Sequence, residues 1–215
     1  MPRSITDRTS VAVLKQEAKR WLAALRRGDS AARARLSNAW PAAPAAPGLR
    51  DVQHALAREY GHRDWTELTA AIIDRLADRQ TEVQHVEAIL RHGFGGDVAL
   101  ARRIVARHPA VRDASVFTAA ATGEVAQVAR FLTRDPALAR ATDPIRHWTA
   151  LAHVAYGRLD SEHAVAIATL LLDAGADAAA VFDDGWGNPH SILTGIVGLG
   201  EQGVPTHPQA DALVD

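Results

Sequence analysis

Two stretches of this chain can be laid over one another without a gap at an offset of 27 residues. Gly96-Asp-Val-Ala-Leu-Ala-Arg-Arg-Ile-Val-Ala-Arg-His-Pro-Ala-Val111 shares Gly, Val, Ala, Arg, Arg, Pro and Ala with Gly123-Glu-Val-Ala-Gln-Val-Ala-Arg-Phe-Leu-Thr-Arg-Asp-Pro-Ala-Leu138, and Asp97 faces Glu124. A third glycine, Gly157, opens a longer unit that ends in Leu170-Leu-Leu-Asp-Ala-Gly-Ala-Asp177, with an insertion at Leu159–Ala164. No strand-like alternation lies between these landmarks. Helical stripes recurring at this interval predict an all-α chain whose part from 81 to 215 is a helical solenoid, each unit burying its apolar face against its neighbours.

Residues 1–80 read as a separate helical unit. Leu14, Ala18, Trp21, Leu22 and Leu25 form one apolar helical face, Gly28 provides a C-terminal stop, and Asp29 can cap a short helix through Leu36. Pro41, Pro44 and Pro47 stand three apart in the loop 41–48, a spacing that favours an extended polyproline segment and is read as an internal semi-rigid linker. Leu49, Val52, Leu56 and Tyr60 define a third helix stopped at Gly61, and Asp64-Trp-Thr-Glu67 has the spacing of a capping box opening a fourth through Leu76.

Phe117-Thr-Ala-Ala-Ala-Thr-Gly-Glu124, followed by Val128, Phe131, Leu132 and Asp135-Pro136, resembles the inner helix, glycine turn and outer helix of an ankyrin repeat. Leu170-Leu-Leu-Asp-Ala-Gly-Ala-Asp177 is similar to that family's outer-helix end and glycine-capped turn. The family's Thr-Pro-Leu-His opening is met by Thr149-Ala150-Leu151-Ala152, so Thr and Leu persist while Pro and His do not. His153 stands one place later, turned by about 100° around the helix, which leaves the tightness of that junction open. The resemblance covers about 90–215. Leu56-Ala-Arg-Glu-Tyr-Gly-His-Arg-Asp-Trp65 is similar to a helical segment that precedes ankyrin repeats in bacterial proteins. The family implies a non-catalytic protein-binding scaffold, with another protein as partner.

Chemistry has few footholds. There is no cysteine, so disulfides, thiolate catalysis and Cys-ligated zinc are excluded. The only lysines, Lys15 and Lys19, are far from any glycine-rich turn that could cradle a phosphate, and no Gly-x-Ser-x-Gly elbow is present. No cofactor is expected. Ten histidines invite a metal reading: His147, His153 and His190 with Asp143 or Asp183 could converge across adjacent loops, whereas His85 and His92 lie on a helix expected to face solvent, beside Glu82 and Glu87. Surface and capping roles are the preferred reading of these histidines.

Charge separates the two ends of the chain. Residues 1–40 carry nine Lys and Arg against three acids, whereas 159–215 carry nine acids and neither Lys nor Arg, +6 against −9 within a net charge of −1. A basic partner for the acidic end is therefore expected. Nucleic-acid association through residues 3–35 is the weaker alternative, since clustered Arg also serves to solvate a helix surface. No stretch of 18 apolar residues and no secretory leader occur, so the expectation is a cytoplasmic protein without membrane contact.

The residues singled out for partner binding lie in two loops, Asp143, Arg146, His147 and Trp148 in one and Asp183, Asp184, Trp186, Asn188 and His190 in the other. Solenoid loops line one surface, and exposed aromatic and charged groups there anchor partners; the alternative for each indole is packing on the adjacent turn. A second functional reading is a hydrolase or isomerase using His147, His190 and the Asp183/Asp184 pair. Thr206–Asp215 begins like another outer helix without its glycine turn, so the last unit is expected to be incomplete. That would leave Ile192, Leu193, Ile196, Val197 and Leu199 poorly covered and open to self-association.

Overall fold

The computed structural model describes residues 2–6, 8–95, 97–183, 189–198 and 206–214. They fall into two compact units, Met1–Arg79 and Gln80–Asp215.

The first unit holds four helices, α1 (Val11–Arg26), α2 (Ser30–Ala39), α3 (Leu49–Glu59) and α4 (Trp65–Arg79). Leu14, Ala18, Trp21, Leu22 and Leu25 are the buried face of α1, which packs on α2 and α3. Ser10 and Asp29 cap the first two helices by accepting the amides of Val13 and Ala32. Between them Gly28 takes φ 77, a left-handed conformation that costs glycine little. The Asp64 side chain accepts the Glu67 amide at 2.9 Å, while Glu67 reaches past it to the Arg63 amide at 2.6 Å. The proline loop differs from the extended linker expected. It turns at Pro41–Ala42 and bends at 45–46, because Ala43 donates to Trp40 O at 3.0 Å and Arg33 Nη2 to Ala45 O at 3.0 Å. These bonds hold it against α2.

The described residues of the second unit form four helical pairs. They are α5 (Glu82–His92) with α6 (Val98–Arg107), α7 (Val116–Ala121) with α8 (Val125–Arg134), α9 (Ala150–Tyr156) with α10 (Ala164–Asp173), and α11 (Ile192–Val197) with α12 (Ala210–Val214). The first helices pack in succession, α5 on α7, α7 on α9 and α9 on α11, and α10 lies between α8 and α12. Thr81, Ser115, Thr149 and Ser191 cap the four first helices through their hydroxyl oxygens. The first three caps stand 34 residues apart. Every residue of α7 and of α9 is buried, as expected of short helices covered on all sides. The 27-residue offset holds element by element: α6 and α8 begin at Val98 and Val125, and Pro109 and Pro136 each open a 3-10 turn, where the missing proline N–H is no loss.

Among the described residues the architecture is all-α apart from one short hairpin. Strands β1 (Val181–Asp183) and β2 (Pro189–Ser191) pair antiparallel, with Phe182 opposite His190. Gly157 also departs from Gly123, whose φ is 81. It leaves α9 with φ −59 and ψ 146, and the inserted segment then runs back over earlier pairs. The Arg158 amide donates to Gly93 O at 3.1 Å, Arg102 Nη2 donates to Arg158 O at 2.8 Å, and the Asp160 side chain lies on Gly123.

At the last pair, Ile192 and Ile196 are buried at 4% and 6% exposure, against the expectation of poor cover, whereas Leu193 and Val197 are half exposed. Leu199 lies outside the described residues. Among the described residues no helix is long and apolar enough to cross a membrane.

Candidate functional site

The turn 143–148 links the second helical pair to α9, and one carboxylate organises it. Asp143 Oδ1 accepts the amides of Ile145 at 2.7 Å and Arg146 at 2.8 Å. Its Oδ2 accepts the Trp148 amide at 3.0 Å and faces His153 Nε2 at 2.9 Å. The Asp143 amide donates to Trp148 O at 2.9 Å, and Thr142 bridges Thr149. Asp143 has no exposed surface. Burial alone would raise its pKa, but the His153 bond and the Arg146 and Ile145 amides outweigh it and hold the carboxyl at about 2. Burial pushes His153 below the ordinary histidine range, against the pull of Asp143. Facing a carboxylate that can only accept, the imidazole donates through Nε2. Thr149 meanwhile accepts the Ala152 amide at 3.2 Å, so Thr149 and His153 together tie the junction into α9.

This geometry corrects two of the sequence expectations. Asp143 and Trp148, picked as partner contacts, are interior groups. Trp148 is 3% exposed, and its ring packs on Phe94, Tyr156 and Phe182 at centroid distances of 5.0 to 5.5 Å, the packing alternative weighed above for an indole. Arg146 is half-buried over the Trp148 ring at 4.6 Å, and its Nη2 donates to Phe94 O at 2.8 Å and to Arg91 O. It thereby caps the C-terminal end of α5. His147 is exposed, with φ 58. Of the second loop, His190 is half-buried near Phe182 and Tyr156. The Asp183 side chain and Asp184, Trp186 and Asn188 lie outside the described residues.

The other histidines divide in the same way. His85, read above as facing solvent, is 5% exposed and stacks on His108 at 4.1 Å. Of the metal set, His153 and Asp143 meet, and among the described residues no group of three His, Asp or Glu is placed to hold a metal ion. A carboxylate with four donors and no exposure has neither a free lone pair nor access to substrate, so the Asp143–His153 pair fastens the turn instead of moving protons.

In the basic N-terminal stretch, Arg35 donates to Glu59 at 2.7 and 2.6 Å and to Glu17 at 2.6 Å, and lies 3.8 Å over the Trp21 ring. Arg3 bonds the same two carboxylates at 2.7 and 3.1 Å. Two of the nine basic residues of this stretch are therefore neutralised within the first unit.

Sequence reasoning passed over the aromatic cluster. Four of the chain's eleven aromatic residues, Phe94, Trp148, Tyr156 and Phe182, pack together although they come from distant segments. It also passed over the start of the first helical pair, for which Thr81-Glu-Val-Gln84 was the available signal. Thr81 Oγ1 accepts the Gln84 amide at 3.3 Å and Gln84 Oε1 the Thr81 amide at 2.9 Å, a reciprocal capping box. Comparison with protein-family models, with curated proteins and with solved structures finds no match to this chain.

Proposed function

We propose that Gln80–Asp215 is a short ankyrin-like array and that the chain acts as a non-catalytic protein-binding scaffold, with a basic protein as its partner. The observation that carries this reading is the succession of helical pairs, each first helix packed on the next and capped by Thr81, Ser115 and Thr149 at a constant 34-residue interval. Such a stack sets its turns side by side on a rigid base. The turn 143–148 is held from within by Asp143 while His147 points to solvent, so a partner would meet a surface that loses little entropy on binding. The nine acids and absent Lys and Arg of 159–215 favour a basic partner and disfavour acidic ones.

Affinity capture from the cells that make the protein, followed by binding measurements on each retained protein in pure form, tests this. The expected result is a protein whose affinity falls as salt rises and falls again in His147→Asn, a variant that tolerates the left-handed backbone at this position. A retained protein indifferent to both, or retention of none, would overturn the reading.

A further inference from the structure

Exposed apolar side chains are not spread evenly over this molecule. Of the eight large ones among the described residues, five (Leu172, Val181, Leu193, Val197 and Val214) come from the stretch 172–214. Three of these five line one groove of about 270 Å³ in the second unit. It is lined by Leu151 of α9, Ala168 and Leu172 of α10, Leu193 and Ile196 of α11, and Leu213 and Val214 of α12, among others. The α10 and α11 pairs are each a ridge along one helix, at spacings of four and three residues, and α12 packs against both helices beside the groove. A further helix laid over the opening can set its own ridge between these ridges.

α10 has ten residues and α12, which packs beside it, has five. Leu172 at the far end of α10 is left 43% exposed.

Charge selects the occupant. Exposed Asp173 adjoins Leu172, exposed Asp177 adjoins the lining residue Ala178, and exposed Asp211 lies one helical turn before Val214. Across 159–215 there is no Lys or Arg to offset them; two cations enter from outside this stretch, Arg140, which donates its Nε to Gly175 O at 2.6 Å, and Arg158, which donates its Nη2 to Gly195 O of α11 at 3.2 Å. A second copy pairing through this same groove would bring the same acids against these and be repelled. An anionic membrane surface would be repelled too. The volume falls below the roughly 300–1,000 Å³ of small-molecule sites, which suits anchoring side chains of a helix laid over the groove.

We infer that the groove between α10 and α11 is the docking site for a basic amphipathic helix of a partner protein, whose apolar side chains at i, i+3 or i+4, and i+7 enter it while flanking Lys and Arg meet Asp173, Asp177 and Asp211. This inference rests on the scaffold reading and adds the place and the chemistry of contact.

The test titrates the full-length chain with two synthetic helical peptides that share a leucine stripe, one flanked by Arg and Lys and the other by Glu. The basic peptide is expected to bind and the acidic one is not. Leu172→Gln with Leu193→Gln, both at exposed positions that leave the core intact, should weaken binding by about tenfold or more. Asp173→Asn with Asp177→Asn and Asp211→Asn should weaken it and flatten its dependence on salt. Equal binding of both peptides, or of neither, overturns the inference. So does concentration-dependent dimerisation that the two Leu variants abolish, since the occupant would then be a second copy. If neither peptide binds while a captured partner still responds to His147→Asn, the groove inference falls and the scaffold reading stands.

Discussion

Asp143 Oδ2 and His153 Nε2 meet at 2.9 Å in the interior of the second unit, joining the turn before α9 to the second turn of that helix. The same carboxylate holds three backbone amides. Asp143→Ala would leave those amides and the imidazole buried without an acceptor, at roughly 1–3 kcal/mol for each unsatisfied group before relaxation. We expect a loss of about 3–5 kcal/mol. Asp143→Asn keeps an oxygen for the Ile145 and Arg146 amides and should lose clearly less. Urea denaturation of both variants checks this, and equal losses would mean that the amides are not what the carboxylate stabilises.

Stability should fall as the solution is acidified from about pH 7 to pH 5, within the titration range of histidine. Burial lowers the pKa of His153, and burial with the nearby Arg158 charge lowers that of His207 to about 4. A group whose folded pKa lies below its unfolded value contributes stability above the unfolded value, near 6.5. That contribution is lost as pH falls towards the folded value, because the unfolded chain binds the proton more readily. Exposed His163, raised by its bond to Asp160, works weakly in the opposite sense. Thermal melts across this range should show Tm falling with pH, and His207→Asn, which can still accept the Gln209 amide now bound by His207 Nδ1 at 3.1 Å, should flatten the trend.

Trp148→Ala is expected to act on stability. Its ring is enclosed by Phe94, Tyr156 and Phe182, and truncating a buried aromatic costs about 3–5 kcal/mol. Trp148→Phe should cost much less. Partner affinity per folded molecule, measured beside the melting curve, should be nearly unchanged in both variants.

In the first unit, Arg35 and Arg3 share the carboxylates of Glu17 and Glu59 but differ in setting. Arg35 is the less exposed, makes two bonds to Glu59 and covers the Trp21 ring. Allowing for solvent screening, Arg35→Ala should destabilise this unit by about 1–2 kcal/mol. Arg3→Ala should cost less, because its backbone amide still donates to Glu59 O at 2.7 Å. Hydrogen exchange of α1–α3 amides in the two variants orders them, and added salt should narrow the gap.

The parts of this fold that were legible in the sequence are those whose signals are local. The α1 stripe from Leu14 to Leu25 and the common register of α6 and α8 depend on neighbours within a helix or a turn, and the structure has them where the spacing put them. What could not be read depends on contacts between distant segments. Asp143 before Pro144 reads as a surface turn charge, and only the approach of His153 and the Trp148 amide makes it an interior one. The insertion 159–164 looks like slack until Arg158 is seen bonded to Gly93 O and Asp160 seated on Gly123. The β1–β2 hairpin escaped because three-residue strands carry too few positions to show alternation.

Gly195 and Gly123 separate two reasons for a missing side chain. A Cβ at Gly195 would run into the Tyr156 ring. That ring cannot yield easily, since it is fully buried and its hydroxyl donates to Ser191 O at 2.9 Å. Ala gains about 1 kcal/mol over Gly from helix propensity, but overpacking costs about 1–3 kcal/mol. Gly195→Ala should therefore be destabilising overall, and Tyr156→Leu in the same chain should remove the added cost. At Gly123 the backbone adds its own cost. Its φ of 81 is left-handed, which costs any L side chain about 1–2 kcal/mol, and a Cβ there would also meet the Asp160 side chain, its Cβ at 2.9 Å, whose carboxylate is held by the Glu162 amide and His163. Gly123→Ala should therefore keep a cost when Asp160 is replaced by Ala. Double-mutant cycles read the difference directly: a cost left over after the partner is truncated is expected at Gly123 and not at Gly195. A Gly123→Ala cost that vanishes with Asp160→Ala would mean that sterics alone restrain Gly123.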